Sequence, residues 1–143
     1  SLIEAAARFQ FALNIAVPSG SEPEPAYVAW ARGEGATIAF HAKAEDAVRD
    51  SDCVVTDTWV SMGQEHRARG HNVFVPYQVN EALMKHAKPD ALFMHCLPAH
   101  RGEEVTDAVI DGPNSVVFDE AENRLHAQKA VIAWCLAGTG AGD

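Results

Sequence analysis

The sequence is short of cysteines, of basic residues and of long apolar runs, and each shortage excludes a class of protein. Its three cysteines, Cys53, Cys96 and Cys135, are scattered and form no CxxC pair, which argues against a disulfide framework or a zinc knuckle. With 11 Lys and Arg against 20 Asp and Glu, the net charge of -9 argues against nucleic acid and anionic membranes as partners. The longest apolar stretch, residues 130–137, is too short to cross a bilayer.

The residues that are present fit one folded domain in a reducing compartment. A chain of 143 residues has the usual length of a single domain, and its hydrophobic content of 48% is enough for a buried core. Unpaired cysteines suit a compartment that keeps thiols reduced, so we expect a cytoplasmic protein.

Segments typical of strands alternate along the chain with segments of helical spacing. Strands are predicted at residues 11–17, 37–41, 52–56, 92–96 and 115–118. Helices are predicted at residues 1–10, 21–33, 45–49, 80–88, 106–110 and 120–137, with Ser1 and Asn80 as possible N-caps. This alternation predicts an α/β fold with a doubly wound, mostly parallel sheet and helices on both faces.

Polar residues follow two of the predicted strands, where open α/β sheets bind their ligands. Asp57 comes directly after the strand at residues 52–56, and His95-Cys96-Leu97-Pro98 ends the strand at residues 92–96. A carboxylate, a thiol, an imidazole and a rigid proline at these positions indicate a functional site. The alternative for Asp57 is a turn or helix-cap residue, which is common in such loops.

Cys96 is open to several interpretations. A nucleophilic thiol needs a base, and His95 or His100 is near in sequence. Neighbouring strand residues point to opposite faces, however, so His95 is badly placed to activate Cys96. A metal site at Cys96 and His100 would need further ligands, and an inert thiol is the common state of a free cysteine.

Four segments, in the same order along the chain, resemble the ornithine carbamoyltransferases. They are Asp57-Thr58-Trp59-Val60-Ser61-Met62-Gly63, Pro76-Tyr77-Gln78-Val79-Asn80, His95-Cys96-Leu97-Pro98 with the following Ala-His-Arg-Gly-Glu-Glu-Val, and Phe118-Asp119-Glu120-Ala121-Glu122-Asn123-Arg124. The resemblance implies the C-terminal, ornithine-binding domain of that family, with a Rossmann-like fold. The implied reaction moves a carbamoyl group from carbamoyl phosphate to the side-chain amine of ornithine. It gives citrulline and phosphate without a cofactor or a metal.

The resemblance also assigns roles at the amino-acid head group. Asp57 is implied to bind the α-ammonium of ornithine, and Ser61 to hydrogen-bond the same amine. The backbone N–H of Met62 is implied to bind the carboxylate. From the residues alone, the alternative for Met62 is a core or loop side chain.

Three further residues are implied to lie near the reacting groups. Cys96 lines the ornithine side chain without forming a covalent intermediate, and the Leu97 carbonyl contacts substrate amino groups. Arg124 polarises the carbamoyl oxygen, a role that suits its fixed and permanently charged donors. The alternative for Arg124 is a solvated side chain paired with Glu120 at i,i+4.

Other parts of the family's machinery are expected outside these residues. The resembled domain opens with a strand, whereas this chain opens with a helix, so we expect residues 1–137 to be a domain lacking its first strand. We expect it to be poorly stable alone and to end in a flexible tail at residues 138–143. The phosphate-binding motifs are implied to lie in an N-terminal carbamoyl-phosphate domain, without which the fragment would be inactive. A homotrimeric enzyme of arginine biosynthesis is the implied parent.

Three alternatives remain open. The first is a carbamoyltransferase for another amine, such as putrescine. The second is an unrelated Rossmann-type dehydrogenase, which the absence of a GxGxxG motif after a strand disfavours. The third is a non-catalytic amino-acid-binding or assembly module.

Overall fold

Helices and strands alternate in the computed structural model, which describes residues 1–59 and 73–137. The helices are α1 (Leu2–Phe9), α2 (Pro25–Gly33), α3 (Ala44–Val48), α4 (Glu81–Met84), α5 (Asp107–Ile110) and α6 (Val117–Leu136), with a 3-10 turn at Val75–Tyr77. The strands are β1 (Leu13–Ala16), β2 (Ile38–His41), β3 (Cys53–Thr56) and β4 (Leu92–His95). The predicted tail, residues 138–143, lies outside the described residues. Among the described helices, none combines the length and the apolar character needed to cross a bilayer.

The four strands form two parallel pairs. β1 pairs with β2 in the register Leu13↔Ile38, and β3 pairs with β4 in the register Cys53↔Leu92. Parallel strands joined by helices confirm the predicted α/β class. Within the described chain the two pairs are separate ladders, whereas one continuous sheet was expected.

The predicted strand at residues 115–118 is wrong. Only Ser115 forms a bridge, with Phe93, and the Val116 N–H donates to the Phe93 carbonyl at 3.0 Å. Helix α6 begins at the next residue, Val117, which is buried in the core. The apolar residues at 115–118 therefore lie mostly at the start of a helix. A short buried apolar run is compatible with either a strand or the first turn of a helix, so its sequence does not distinguish them.

Helix termini differ from prediction in two further places. The predicted helix at residues 80–88 ends at Met84, because the following N–H groups bond in tighter turns and the Lys88 N–H donates to the Ser51 carbonyl. Asn80 does cap this helix: its side-chain oxygen accepts from two backbone N–H groups at 3.0 Å. Ser1 makes no side-chain cap bond, so the N-cap predicted for α1 does not form.

The buried residues fall into two clusters. The larger lies around β3 and β4 and includes Phe93, Val105 and Val117, each at most 1% exposed. The smaller one lies between α1, α2 and β2 and consists mostly of alanine, such as Ala6 and Ala31. Small side chains let α1 and α2 approach closely, and the larger cluster supports the strand ends where the predicted site residues lie.

Tyr77 links the carboxyl ends of the first strand pair to the second half of the chain. Its hydroxyl lies 3.1 Å from the carbonyl oxygens of Val17 and Ala42, which directly follow β1 and β2. One hydroxyl proton is shared between the two acceptors. The neighbouring Gln78 side chain donates to the carbonyls of Gly102 and Glu103, at 3.0 and 2.7 Å. Together, Tyr77 and Gln78 connect loops that follow three different strands.

Replacing Tyr77 by Phe should lower the free energy of unfolding by about 1 kcal/mol, because the hydroxyl link to two carbonyls is lost. Urea denaturation followed by circular dichroism measures the change. Tyr27→Phe is the matched control, since Tyr27 is 55% exposed on α2. Equal stability of the two variants would contradict the assigned role of Tyr77.

Candidate functional site

Asp57 and Cys96 lie side by side at the carboxyl ends of β3 and β4. The register pairs Thr56 with His95, so the next residue of each strand emerges at the same level. The Cys96 thiol donates a hydrogen bond to Asp57 Oδ1 at 3.3 Å. The same oxygen accepts the backbone N–H of Thr58 at 2.7 Å. The structure therefore brings together two of the residues that the sequence nominated.

The Cys96 thiol is a hydrogen-bond donor and is poorly suited to be a nucleophile. Partial burial of the sulfur raises the pKa of Cys96, and the hydrogen bond to Asp57 and the charges of Asp57 and Glu120 raise it further. A raised pKa keeps the thiol protonated at neutral pH, whereas nucleophilic attack needs the thiolate. The observed environment favours the interpretation without a covalent intermediate.

His95 is fully buried, and one of its ring nitrogens lies within 4.8 Å of the Cys96 sulfur. Its Nδ1 accepts the backbone N–H of Leu97 at 2.9 Å, so the ring proton resides on Nε2. Nε2 then donates to Glu104 Oε1 at 3.2 Å. Both ring nitrogens are occupied, and His95 is not available as a base for Cys96. The expected reason, opposite faces of a strand, is wrong, because the two side chains are close together; it is the bonding of both ring nitrogens that removes His95 as a base.

Glu104 anchors the loop that follows β4. Its side chain has no exposed surface, and Oε1 also accepts the backbone N–H of His100 at 2.6 Å. Its backbone carbonyl accepts the N–H of Val79 at 2.9 Å. Arg101, in the same loop, bonds to Asp107 and Asp111. The sequence gave no sign that Glu104 is a buried partner of His95.

Leu97 lies next to the exposed Cys96 and is bonded to the buried side chain of His95. It has a positive φ of 52°, which is uncommon for a residue other than glycine. The bond from its N–H to His95 and the packing of its side chain against the larger core hold it there. The backbone at Leu97 is thus set by a buried side chain and not by the strand alone.

Arg124 is not brought to Asp57 and Cys96 by any contact among the described residues. It is exposed about two turns into α6, and within the described chain it has no hydrogen-bond or ion-pair partner. The suggested pair with Glu120 does not form. Glu120 was missed as a site residue. Its charge raises the pKa of both Cys53 and Cys96, and its Oε2 is buried without a partner in the described part of the chain.

Two predicted head-group residues, Ser61 and Met62, lie outside the described residues. The segments on either side of residues 60–72 meet where the rings of Trp59 and Phe74 stack, with centroids 6.1 Å apart. Asp57 lies two residues before Trp59. Trp59, the last described residue before residue 60, is therefore held near the carboxyl ends of the strands.

The group formed by Asp57, His95 and Cys96 places three potential metal-ligand atoms within 4.8 Å of one another. Both nitrogens of His95 are already bonded, and the raised pKa of Cys96 opposes the thiolate that a metal requires. The arrangement is better suited to accept hydrogen bonds from an amine through the Asp57 carboxylate, beside a neutral thiol.

Fold and site define a doubly wound α/β domain of the type that binds ligands at the carboxyl ends of parallel strands. Within this class, residues 1–135 match the family model of the aspartate/ornithine carbamoyltransferases, for the Asp/Orn binding domain. The chain belongs to that family and corresponds to this domain of it.

Individual relatives agree with the family match. The chain is 74% identical over 136 residues to an ornithine carbamoyltransferase of Mesorhizobium japonicum, covering 95% of this chain and 45% of the relative. The ornithine carbamoyltransferase structure from Pyrococcus furiosus superimposes with a TM-score of 0.85 at 52% identity, over 93% of this chain and 44% of that one. The anabolic enzyme from Campylobacter jejuni gives 0.86 at 36% identity, over 93% and 46%. The chain thus spans about half the length of the curated relatives it matches.

Replacing Asp57 by Asn should lower the pKa of Cys96, because it removes a negative charge and weakens the acceptor of the thiol proton. A lower pKa means more thiolate at a given pH, so alkylation of Cys96 by iodoacetamide should become severalfold faster near neutral pH. Site-resolved mass spectrometry measures the rate. Cys135, on α6, is the internal control, and an unchanged rate at Cys96 would contradict the assignment.

Replacing Glu104 by Ala should lower the free energy of unfolding by about 1–3 kcal/mol, because the buried donors of His95 and His100 lose their acceptor. Glu104→Gln retains an acceptor oxygen and should cost less. Denaturant unfolding of both variants compares them. An alanine variant as stable as the glutamine variant would show that these hydrogen bonds do not anchor the loop.

Proposed function

We propose that this chain is the ornithine-binding half of an ornithine carbamoyltransferase, which carries a carbamoyl group from carbamoyl phosphate to the ornithine side-chain amine to give citrulline and phosphate. The observation that carries the proposal is the Asp57–Cys96 pair, held at the carboxyl ends of β3 and β4. The relatives named ornithine carbamoyltransferase support the choice of reaction.

The pair suits the recognition of an amino acid. Asp57 is exposed, so its carboxylate is accessible to the α-ammonium of ornithine. Cys96 presents a neutral thiol next to it and would line the aliphatic part of the substrate. The reacting amine must lose its proton before it can attack. Among the described residues, neither the protonated thiol of Cys96 nor the fully bonded imidazole of His95 is available to accept that proton. We propose Ser61 and the Met62 backbone as the remaining head-group contacts.

The carbamoyl end of the reaction requires positive charge where the oxyanion develops. Arg124 is the proposed donor. It is exposed and without a partner in the described chain, so binding a substrate would break no existing ion pair. The Leu97 carbonyl, positioned through His95, is the proposed acceptor for a substrate amino group. Alignment of the two substrates would supply much of the rate.

The complete protein is proposed to contain a second domain that binds carbamoyl phosphate. The chain spans about half of its curated relatives, and the motifs expected for the phosphate are outside its sequence. We further propose that the complete enzyme is a cytoplasmic homotrimer of arginine biosynthesis. A carbamoyltransferase for another amine, such as putrescine, is the closest rival, because its chemistry would use the same strand ends.

The test is carbamoyl transfer by the complete protein, offered ornithine, putrescine, N-acetylornithine or aspartate. Ornithine should be strongly preferred. Asp57→Ala should lower kcat/KM for ornithine by about 10- to 100-fold, the size expected for one charged hydrogen bond.

The control for this test is Asp90→Ala, since Asp90 is an exposed aspartate at the opposite end of β4 and should leave the rate unchanged. A preference for putrescine would contradict the assigned amino-acid head-group site. No turnover of any amine would favour a non-catalytic amino-acid-binding or assembly module.

A further inference from the structure

A cavity of about 400 Å³ opens between α4, α5 and the start of β4. This volume is in the range of small-molecule sites, and the walls are mostly apolar. The cavity lies at the amino end of β4, whereas Asp57 and Cys96 lie at the carboxyl ends of the strands. We propose that it binds a small organic carboxylate with an apolar body. The inference goes beyond the proposed carbamoyl transfer and does not depend on it.

The floor of the cavity is formed by the larger hydrophobic cluster. Phe93, which is fully buried, lines it together with Ala87 and Val109, each at most 9% exposed. Met84 also lines the cavity, and its flexible thioether can adapt to the shape of a ligand. A ligand placed here would exchange contact with water for contact with core side chains, which favours an apolar body.

The walls are fixed by contacts that involve no ligand. Asn114 Nδ2 donates to the Pro89 carbonyl at 3.2 Å, and the Asn114 carbonyl accepts the Phe93 N–H at 2.9 Å. Gly112 packs so closely on α5 that a Cβ there would lie 2.7 Å from the Ala108 carbonyl oxygen. The cavity is therefore formed before a ligand arrives, and a preformed site loses little free energy to ordering on binding.

Lys85 supplies the charge at the rim of the cavity. Its ammonium forms no hydrogen bond or ion pair with the described residues, and its charge acts on Glu81 only at longer range. The Glu81 carboxylate bonds instead to the Thr106 hydroxyl, at 2.8 Å. The other lysine of the lining, Lys88, is already paired with Asp52. One unpaired cation beside apolar walls complements one carboxylate on an apolar body.

Other classes of small molecule fit this lining less well. A phosphate group is held where several donors converge, whereas Lys85 is the one unpaired ammonium of the lining within the described chain. A cationic amine would be repelled by the two lysines. An uncharged apolar molecule would fill the cavity but would leave Lys85 without a partner.

The experiment is methyl NMR of the complete protein, labelled with ¹³C-methyl methionine and titrated with phenylacetate. Met84 lines the cavity, whereas Met94 follows Phe93 in β4 and lies on the other face of that strand. Phenylacetate should shift the Met84 resonance saturably at millimolar or lower concentration and leave the Met94 resonance in place. Each resonance is identified with its Met→Leu variant. Saturating ornithine should not displace phenylacetate, which separates this test from that of the proposed function.

Variants test the charge and the cavity separately. Lys85→Ala should weaken binding about 3- to 10-fold, and phenylacetamide should bind the wild type more weakly than phenylacetate by a similar factor. Ala108→Phe should abolish binding, because its ring would fill the cavity. Lys129→Ala is the matched control, since Lys129 is an exposed lysine on α6, and it should bind as the wild type does. Circular dichroism verifies that each variant is folded.

Three results would overturn the proposal. The first is the absence of a saturable Met84 shift in the folded wild-type protein. The second is binding that is unchanged in Lys85→Ala or in Ala108→Phe, or equal binding of phenylacetamide. The third is displacement of phenylacetate by ornithine, which would place the ligand at the carboxyl ends of the strands.

Discussion

The buried hydrogen bond between His95 and Glu104 is the interaction on which the arrangement of the site depends. Neither side chain has exposed surface, so each must find its partners inside the protein. Glu104 fixes the histidine ring through Nε2 and fixes the loop through the His100 N–H. The histidine in turn fixes the Leu97 N–H through Nδ1. One buried pair thereby determines the backbone on both sides of Cys96.

This separation of roles explains how a cysteine next to a histidine avoids becoming a nucleophile. Both nitrogens of the imidazole are bonded to Glu104 and Leu97 inside the protein, while the thiol donates its proton to Asp57. An exposed carboxylate beside a neutral thiol suits binding of a cationic amine and does not suit covalent catalysis. Arg124, exposed on α6, is the residue that we propose supplies the positive charge for the carbamoyl group.

Strand-related features were predictable from the sequence, and the partners inside loops were not. Asp57 and Cys96 could be expected to meet, because each directly follows a strand and parallel strands end at the same side of a sheet. The partnership of His95 with Glu104 could not be predicted from strand or helix spacing, since the two residues are nine positions apart along a loop. Residues 115–118 were predicted as a strand because a short apolar sequence is equally typical of a strand and of the start of a buried helix.

The most direct test of the account is the tautomer of His95, measured by nitrogen NMR of the imidazole in the full chain and assigned with a His95→Gln variant. The account predicts a neutral ring with the proton on Nε2 and a bare Nδ1 coupled to the Leu97 amide. A proton on Nδ1 would contradict it, because the Leu97 N–H would then have no acceptor and the described loop would have to be held by other contacts.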